Sequence, residues 1–324
     1  MRMFPLNFKI IVVTPCYEDT SAVSILFKKL AKIYSEQIYV VVVDDGSVSH
    51  PVTSSLLGES GVRGSVIRLN RNFGHQRAIA TGLSYISSLL AEHQRVVVMD
   101  SDGEDQPEAI EELMNRIEVK NVDVTVAQRR RRVESSSFKL FYFLYKVFFR
   151  LLTGRNIKFG NFMVLTPMAV RRLTSMSDLG NHVACTVLAS NLRIDHCPID
   201  RGERYSGVSK MNFTSLALHG FKGLMIFAET TLVRLTIACS VFAACSVLGI
   251  LGAVGLKIIG YASPGWFSIA MGVMLVMLLQ TGALALVSLL LTSYKPDDGV
   301  AETSIHTKFI DRVIPIKAKS YQPD

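Results

Sequence analysis

The chain has 324 residues, with 35 Lys and Arg against 27 Asp and Glu, a net charge of +8 and 49% hydrophobic residues. That length holds one large domain and an accessory part, and the mean hydropathy of +0.32 is high for a purely soluble chain. The positive charge does not mark a nucleic-acid binder, because zinc-finger spacing, an aromatic-basic RNA motif and a helix-turn-helix are all missing. The five cysteines, Cys16, Cys185, Cys197, Cys239 and Cys245, form no CxxC pair and are odd in number, so neither a disulfide framework nor a zinc site is suggested.

The opening residues, MRMFPLNFKIIVVTP, lack the long apolar core and small-residue cleavage site of a signal peptide. The expectation is that the first domain stays in the cytoplasm. From residue 8 to about 127, Val- and Ile-rich runs at 10–13, 39–43, 65–69, 96–99 and 122–127 read as strands. Stretches of helical spacing separate them, among them 21–34 and 77–91. This alternation predicts an α/β domain with a mostly parallel sheet. Ligands of such sheets bind beyond the carboxyl ends of the strands. The polar residues that follow the runs are therefore the candidate site.

The first run leads into Thr14-Pro15-Cys16-Tyr17-Glu18, the second into Asp44-Asp45-Gly46-Ser47 and the fourth into Asp100-Ser101-Asp102. Hard divalent cations prefer carboxylate oxygens, and Mg²⁺ or Mn²⁺ commonly bridges a carboxylate to substrate phosphates. A cation on Asp102, with Asp100 beside it, would neutralise a departing nucleoside diphosphate. Asp44 or Asp45 would accept a hydrogen bond from a base or ribose, and Tyr17 would stack on the base.

Residues 129–158 hold nine Lys or Arg and one acid, Glu134. Lys139, Tyr142, Lys146 and Arg150 share one helical face, and Phe141, Leu144, Phe148 and Leu152 another. That pattern predicts a helix lying in a membrane interface, where anionic headgroups or phosphate ligands would meet its charge. Residues 160–230 read as mixed and mostly helical, with a polar loop at 200–210. The uncharged stretches 235–256 and 266–294 each exceed the roughly 20 apolar residues a helix needs to cross a bilayer core. With a turn around 260–265, they predict a transmembrane hairpin. Gly249, Gly252, Ala253 and Gly255 permit close helix contact and lean the reading toward a homo-oligomer. The tail from Lys295 carries five basic and five acidic residues, so it is not a polybasic anchor. The expected divisions are 1–128, 129–230, 231–294 and 295–324.

The order PCYED, DDGS, DSDGEDQPE resembles the family 2 glycosyltransferases with the GT-A fold. Within them it is most similar to dolichol-phosphate mannose synthases and GtrB-type polyprenyl-phosphate glycosyltransferases. The segment Asn70 to Ala78 resembles that family's N-x-G-x-x-x-A stretch, which places Asn72, Gly74 and Gln76 at the donor site. Arg204-Tyr205-Ser206-Gly207-Val208-Ser209-Lys210 resembles its R-x-x-G-x-S-K loop. The resemblance implies that Pro15, Tyr17, Glu18 and Asp45 contact the nucleoside, and that Asp100 and Asp102 serve the metal and diphosphate. Arg129, Arg132, Arg204, Ser209 and Lys210 would hold the acceptor phosphate or donor diphosphate.

Two positions depart from the family pattern. Glu104 stands where many relatives carry Gln, and Gly160-Asn161-Phe162-Met163-Val164 stands where G-D-F-R-L is common. Glu104 or Asp105 is the available general base if the acceptor is a hydroxyl. A lipid phosphate, ionised near neutral pH, needs positioning instead. The Q-x-x-R-W motif of processive synthases is missing. His75 and His182 read as structural hydrogen-bonders, with His182 a secondary candidate on the acceptor side.

The expected function is a membrane-embedded, non-processive, inverting glycosyltransferase. It would use a nucleotide-diphosphate sugar and Mg²⁺ or Mn²⁺, with polyprenyl phosphate as acceptor, at the cytoplasmic face of the inner membrane. The alternatives are a lipid-linked saccharide hydroxyl as acceptor, or a catalytically silent membrane scaffold.

Overall fold

The computed structural model describes residues 8–129, 136–205, 213–261, 263, 265–293 and 306–316. Two compact units divide it: residues 1–141, 157–226 and 299–324, and residues 142–156 with 227–298.

The first unit is built on eight strands: β1 (Ile10–Cys16), β2 (Ile38–Asp44), β3 (Arg63–Leu69), β4 (Arg95–Val98), β5 (Val124–Arg129), β6 (Met163–Leu165), β7 (Ile194–Ile199) and β8 (Ile310–Ile316). They form one sheet in the order β7-β5-β6-β4-β1-β2-β3-β8. Strands β4, β1, β2 and β3 are parallel, whereas β6 runs antiparallel between β4 and β5, and β8 antiparallel along β3. The five strands expected from the Val/Ile runs are all present. Residues 160–230 are mixed and mostly helical, as read, with β6 and β7 as their strands, and β8 places part of the tail in the sheet.

Parallel strands are buried on both faces, hence the unbroken apolar runs. Val13, Val41, Val43, Ile67 and Val98 pack on one side of the sheet, and Val12, Val40, Val42, Val66 and Val97 on the other. Helix α1 (Thr20–Tyr34) buries Ala22, Val23, Leu26, Phe27 and Leu30, the i, i+3, i+4 spacing of one helical stripe. Asp19 caps it, accepting the Ala22 N–H at 3.2 Å. Helices α2 (Ser54–Glu59), α3 (His75–Ser87) and α4 (Ile110–Val119) follow β2, β3 and β4. Helix α5 (Ser136–Thr153) follows β5 and belongs for most of its length to the second unit, where it leaves Phe143, Val147, Phe148 and Leu151 exposed, an apolar stripe beside the exposed Lys146 and Arg150. Helices α6 (Pro167–Thr174), α7 (Val183–Ala189) and α8 (Phe213–Met225) lie in the first unit.

The site position follows from the strand order. After β3 the chain returns across β1 to form β4, so the direction of winding reverses between β1 and β4. A crevice opens at such a switch point, beyond the carboxyl ends of the strands. Thr14–Tyr17 and Asp100–Asp102 sit there.

In the second unit, α9 (Ala228–Ile258) and α10 (Trp266–Ser293) pack against each other as a hairpin. Each carries a span of mean hydropathy 2.3, of which only 11% and 6% is buried. The length is sufficient to cross a bilayer, and the outward apolar surface is what a soluble core helix would have covered.

Candidate active site

The ends of β1 and β2 are joined by the Asp45 N–H donating to the Cys16 carbonyl at 2.8 Å. Asp44, fully buried, accepts the N–H groups of Ser47 and Val52, both at 3.0 Å, and so shapes the turn after β2. Asp45 accepts the Phe73 and Gly74 N–H groups at 2.8 and 2.9 Å, one on each oxygen. Burial raises its pKa, and those two hydrogen bonds act in the opposite sense. The turn requires glycine at 46: φ is +72°, and a Cβ there would lie 2.4 Å from the Arg71 carbonyl carbon.

Tyr17 is 44% exposed and available for stacking. Glu18 serves the loop beside it. Its carboxylate accepts the N–H groups of Val48, Ser49 and His50 at 2.6, 3.0 and 2.7 Å, which hold its pKa down at about 2. Pro15 is fixed by its own carbonyl, which accepts the Ser101 hydroxyl at 3.0 Å and ties β1 to the D-x-D loop.

That loop is the centre of charge. Asp102 accepts the Glu104 N–H at 3.0 Å on one oxygen and carries the Arg204 Nη2 at 2.9 Å on the other. Glu104 accepts Arg204 Nε at 2.9 Å and pairs with Arg201 through its second oxygen. The strap 201–205 is also pinned by backbone, with Gly202 N–H on the Glu104 carbonyl at 2.9 Å and Tyr205 N–H on the Asp102 carbonyl at 2.8 Å. The Tyr205 ring lies against Gly103, whose φ is +96° and whose missing Cβ would stand 2.7 Å from the ring. Burial and the neighbouring Asp100 raise the Asp102 pKa, opposed by Arg204 and Arg201.

Asp100 is held by its N–H donating to Asp105 at 2.8 Å, and its Oδ1 lies 3.1 Å from His75 Nε2. Burial would depress His75, but the charge and hydrogen bond of Asp100 outweigh it and raise the pKa. The Asn161 amide stands 3.0 Å from the same His75 nitrogen. Gln76 donates to Asn161 at 3.3 Å and accepts the Val183 N–H at 2.6 Å. Its amide thus connects two segments of the unit. Asn72 is exposed, and Gly74, with φ of +93°, begins α3. Arg132, Ser209 and Lys210 lie outside the described residues, as does the side chain of Arg129.

His75 and Arg201 are the two members that sequence reasoning undervalued. A histidine 25 positions from Asp100 carries no pattern, whereas the Arg201-x-x-Arg204 doublet was a usable signal. His182, read as structural, caps α7 by accepting the Cys185 N–H at 3.3 Å on Nδ1. It also stacks on His219 with centroids 4.2 Å apart.

Among the described residues, no group of three His, Cys, Asp or Glu is gathered to hold a metal unaided. Mg²⁺ usually takes only one or two carboxylates and completes its shell with phosphate and water. Asp102 and Asp100 fit that mode. They offer hard oxygen donors in a half-buried place, where Asp102 already draws a guanidinium as counter-charge.

The family model described as glycosyl transferase family 2 matches residues 11–180. An undecaprenyl-phosphate 4-deoxy-4-formamido-L-arabinose transferase of Klebsiella pneumoniae is 27% identical over 263 residues, covering 78% of this chain and 76% of its own. A dodecaprenyl-phosphate galacturonate synthase of Rhizobium johnstonii is 24% identical over 131 residues, 39% of this chain and 37% of its own. The glucosyl-3-phosphoglycerate synthase of Mycobacterium tuberculosis, solved with Mn²⁺, UDP-glucose and phosphoglyceric acid, superposes with a TM-score of 0.51 at 13% identity, over 70% of this chain and 79% of its own. The acidic rim, the GT-A sheet and the match over more than half of the sequence agree: the chain is a glycosyltransferase and belongs to glycosyl transferase family 2.

Proposed function

We propose that this enzyme moves one sugar from a nucleotide-diphosphate sugar to polyprenyl phosphate at the cytoplasmic face of the inner membrane, inverting the anomeric centre. The observation that carries the choice of acceptor is the engagement of the carboxylates beside the D-x-D loop. Glu104 is bound by Arg201 and Arg204, and Asp105 by the Asp100 N–H. A sugar hydroxyl would need one of them as a general base. A phosphate monoester is largely ionised at neutral pH and needs only to be aimed. The exposed apolar hairpin and the apolar stripe on α5 favour an acceptor dissolved in lipid. Two relatives named for polyprenyl-phosphate acceptors point the same way.

In this reading Tyr17 and Asp45 hold the nucleoside, with Pro15, Glu18 and Asp44 shaping their loops. Asp102 and Asp100 would hold Mg²⁺ or Mn²⁺, which when bound neutralises the leaving diphosphate. Arg204, kept in place by Glu104, adds a second positive charge there. Arg129, Arg132, Ser209 and Lys210 are assigned to the acceptor phosphate.

The test is transfer from radiolabelled UDP-, GDP- and dTDP-sugars to undecaprenyl phosphate, in competition with a lipid-linked saccharide. An organic-extractable product on the phosphate supports the reading. Product only on the saccharide would replace it with the hydroxyl-acceptor alternative.

A further inference from the structure

The tail is part of the catalytic unit. Strand β8 pairs with β3 in antiparallel register, from Gly64 opposite Ile316 to Leu69 opposite Ile310, with an irregularity at Arg68 and Leu69. Just before it, the Phe309 carbonyl accepts the Asn70 N–H at 3.0 Å. The Phe309 ring stacks on Phe73, with centroids 4.3 Å apart and planes at 28°. The Arg71 guanidinium lies 4.2 Å from the Phe73 ring centroid. Phe73 and Gly74 are the two residues whose N–H groups hold Asp45, and Gly74 opens the helix that delivers His75 to Asp100. Further along the strand, Asp311 and Arg312 line a polar cavity of about 300 Å³ whose lining includes Gly46–Val48, the turn directly after Asp45.

We infer that Phe309 is a positioning residue for the donor nucleotide: by bracing Phe73 it fixes the backbone that orients Asp45. The inference rests on the donor reading above and adds to it a part of the site that lies more than two hundred residues away in sequence. Segment 70–75 has no strand partner of its own, so its conformation depends on what it packs against. Phe309 and Ile310 supply that contact from the same sheet face as Leu69 and Ile79, whereas Ile314 packs on the opposite face. The two faces therefore separate positioning from general support of the strand.

The experiment uses the full chain in nanodiscs. Binding of UDP, GDP and dTDP with Mn²⁺ is titrated calorimetrically for wild type, Phe309→Ala, Phe309→Tyr and Ile314→Ala, alongside melting temperatures and the KM for undecaprenyl phosphate. Loss of one stacked aromatic pair should weaken the preferred nucleotide about tenfold in Phe309→Ala. Phe309→Tyr should stay close to wild type, Ile314→Ala should melt earlier with nucleotide affinity unchanged, and the acceptor KM should not move. Equal nucleotide affinity in wild type and Phe309→Ala overturns the inference alone. So does an equal loss of affinity in Ile314→Ala, which would mark a general structural effect. A wild type that binds none of the three diphosphates removes the donor reading and this inference with it.

Discussion

Replacing Arg204 by alanine should separate metal affinity from turnover. Its guanidinium makes two charge-assisted contacts, Nη2 to Asp102 and Nε to Glu104, both at 2.9 Å. The three side chains are 30%, 20% and 13% exposed, so solvent screens the pair only in part. Unit charges about 4 Å apart interact by about 4 kcal/mol at an effective dielectric constant near 20. Screening and the competing hydration of both partners leave roughly 1–2 kcal/mol. A cation that takes Asp102 must displace this contact in the wild type and has nothing to displace in Arg204→Ala. Mn²⁺ should therefore bind the nucleotide-free variant roughly 5–30-fold more tightly. Turnover should fall in the same variant by about 10²–10³, the usual cost of removing one preorganised electrostatic donor. Arg204→Lys keeps the charge without the fork and should lie between the two. Titration of free Mn²⁺ by its solution EPR signal measures the affinity, and initial transfer rates measure the turnover. An unchanged or weaker Mn²⁺ affinity in Arg204→Ala would refute the idea that the guanidinium occupies the metal's carboxylate.

Three further outcomes are expected. Gly46→Ala combines a positive φ with a backbone clash and should cost roughly 2–4 kcal/mol, seen as an early melting transition together with weakened nucleotide binding. The folded-state pKa of Glu18 is about 2, below the ordinary carboxylate value of 4.5, so its stabilisation is complete above pH 4.5 and is lost as pH falls toward 2. Glu18→Gln should lower the melting temperature at pH 7 and flatten the acid limb; an acid limb as steep as wild type would count against this. Burial, then the adjacent His219, hold His182 down at about 3, so its neutral form costs the fold nothing above pH 6.5 and an increasing amount as pH falls to 3. His182→Asn keeps a capping acceptor and should remove up to about 3 kcal/mol of acid lability, read from melting temperatures between pH 7 and 4.

The parts of this fold that were legible in the sequence are those where one physical demand dominates. Buried parallel strands need unbroken apolar runs, and β1, β2 and β4 announced themselves that way; β3 and β5 are Val- and Ile-rich but interrupted by Arg68 and by Asp123 and Thr125. Lipid-length apolar helices did the same for α9 and α10. The polar rim of the candidate site followed from the same runs, because in such a sheet the crevice lies beyond the carboxyl ends of the strands. Where several demands compete, the signal failed. Met163-Val164-Leu165 is too short to tell a strand from a turn of buried helix. In β7 the polar Asp195 and His196 and the Pro198 ring interrupt the apolar pattern, and in β8 Asp311, Arg312 and Pro315 do so.

Glu104 was readable as a general base from its type and place. Only the fold brings Arg201 and Arg204 onto its two oxygens and changes what it can do. Glu18 and Asp44 were assigned to the nucleoside, yet most of their acceptor strength goes to backbone N–H groups of the neighbouring loop. In the proposed site they hold its walls.

The central claim, transfer of a sugar to a lipid phosphate with inversion, is tested most directly by the structure of the product. The lipid made from the preferred donor should be isolated and its anomeric proton examined by ¹H–³¹P correlation NMR. The account predicts coupling of that proton to a single phosphodiester phosphorus, with the anomeric configuration opposite to the donor's. An anomeric carbon joined to another sugar, or a retained configuration, would contradict it.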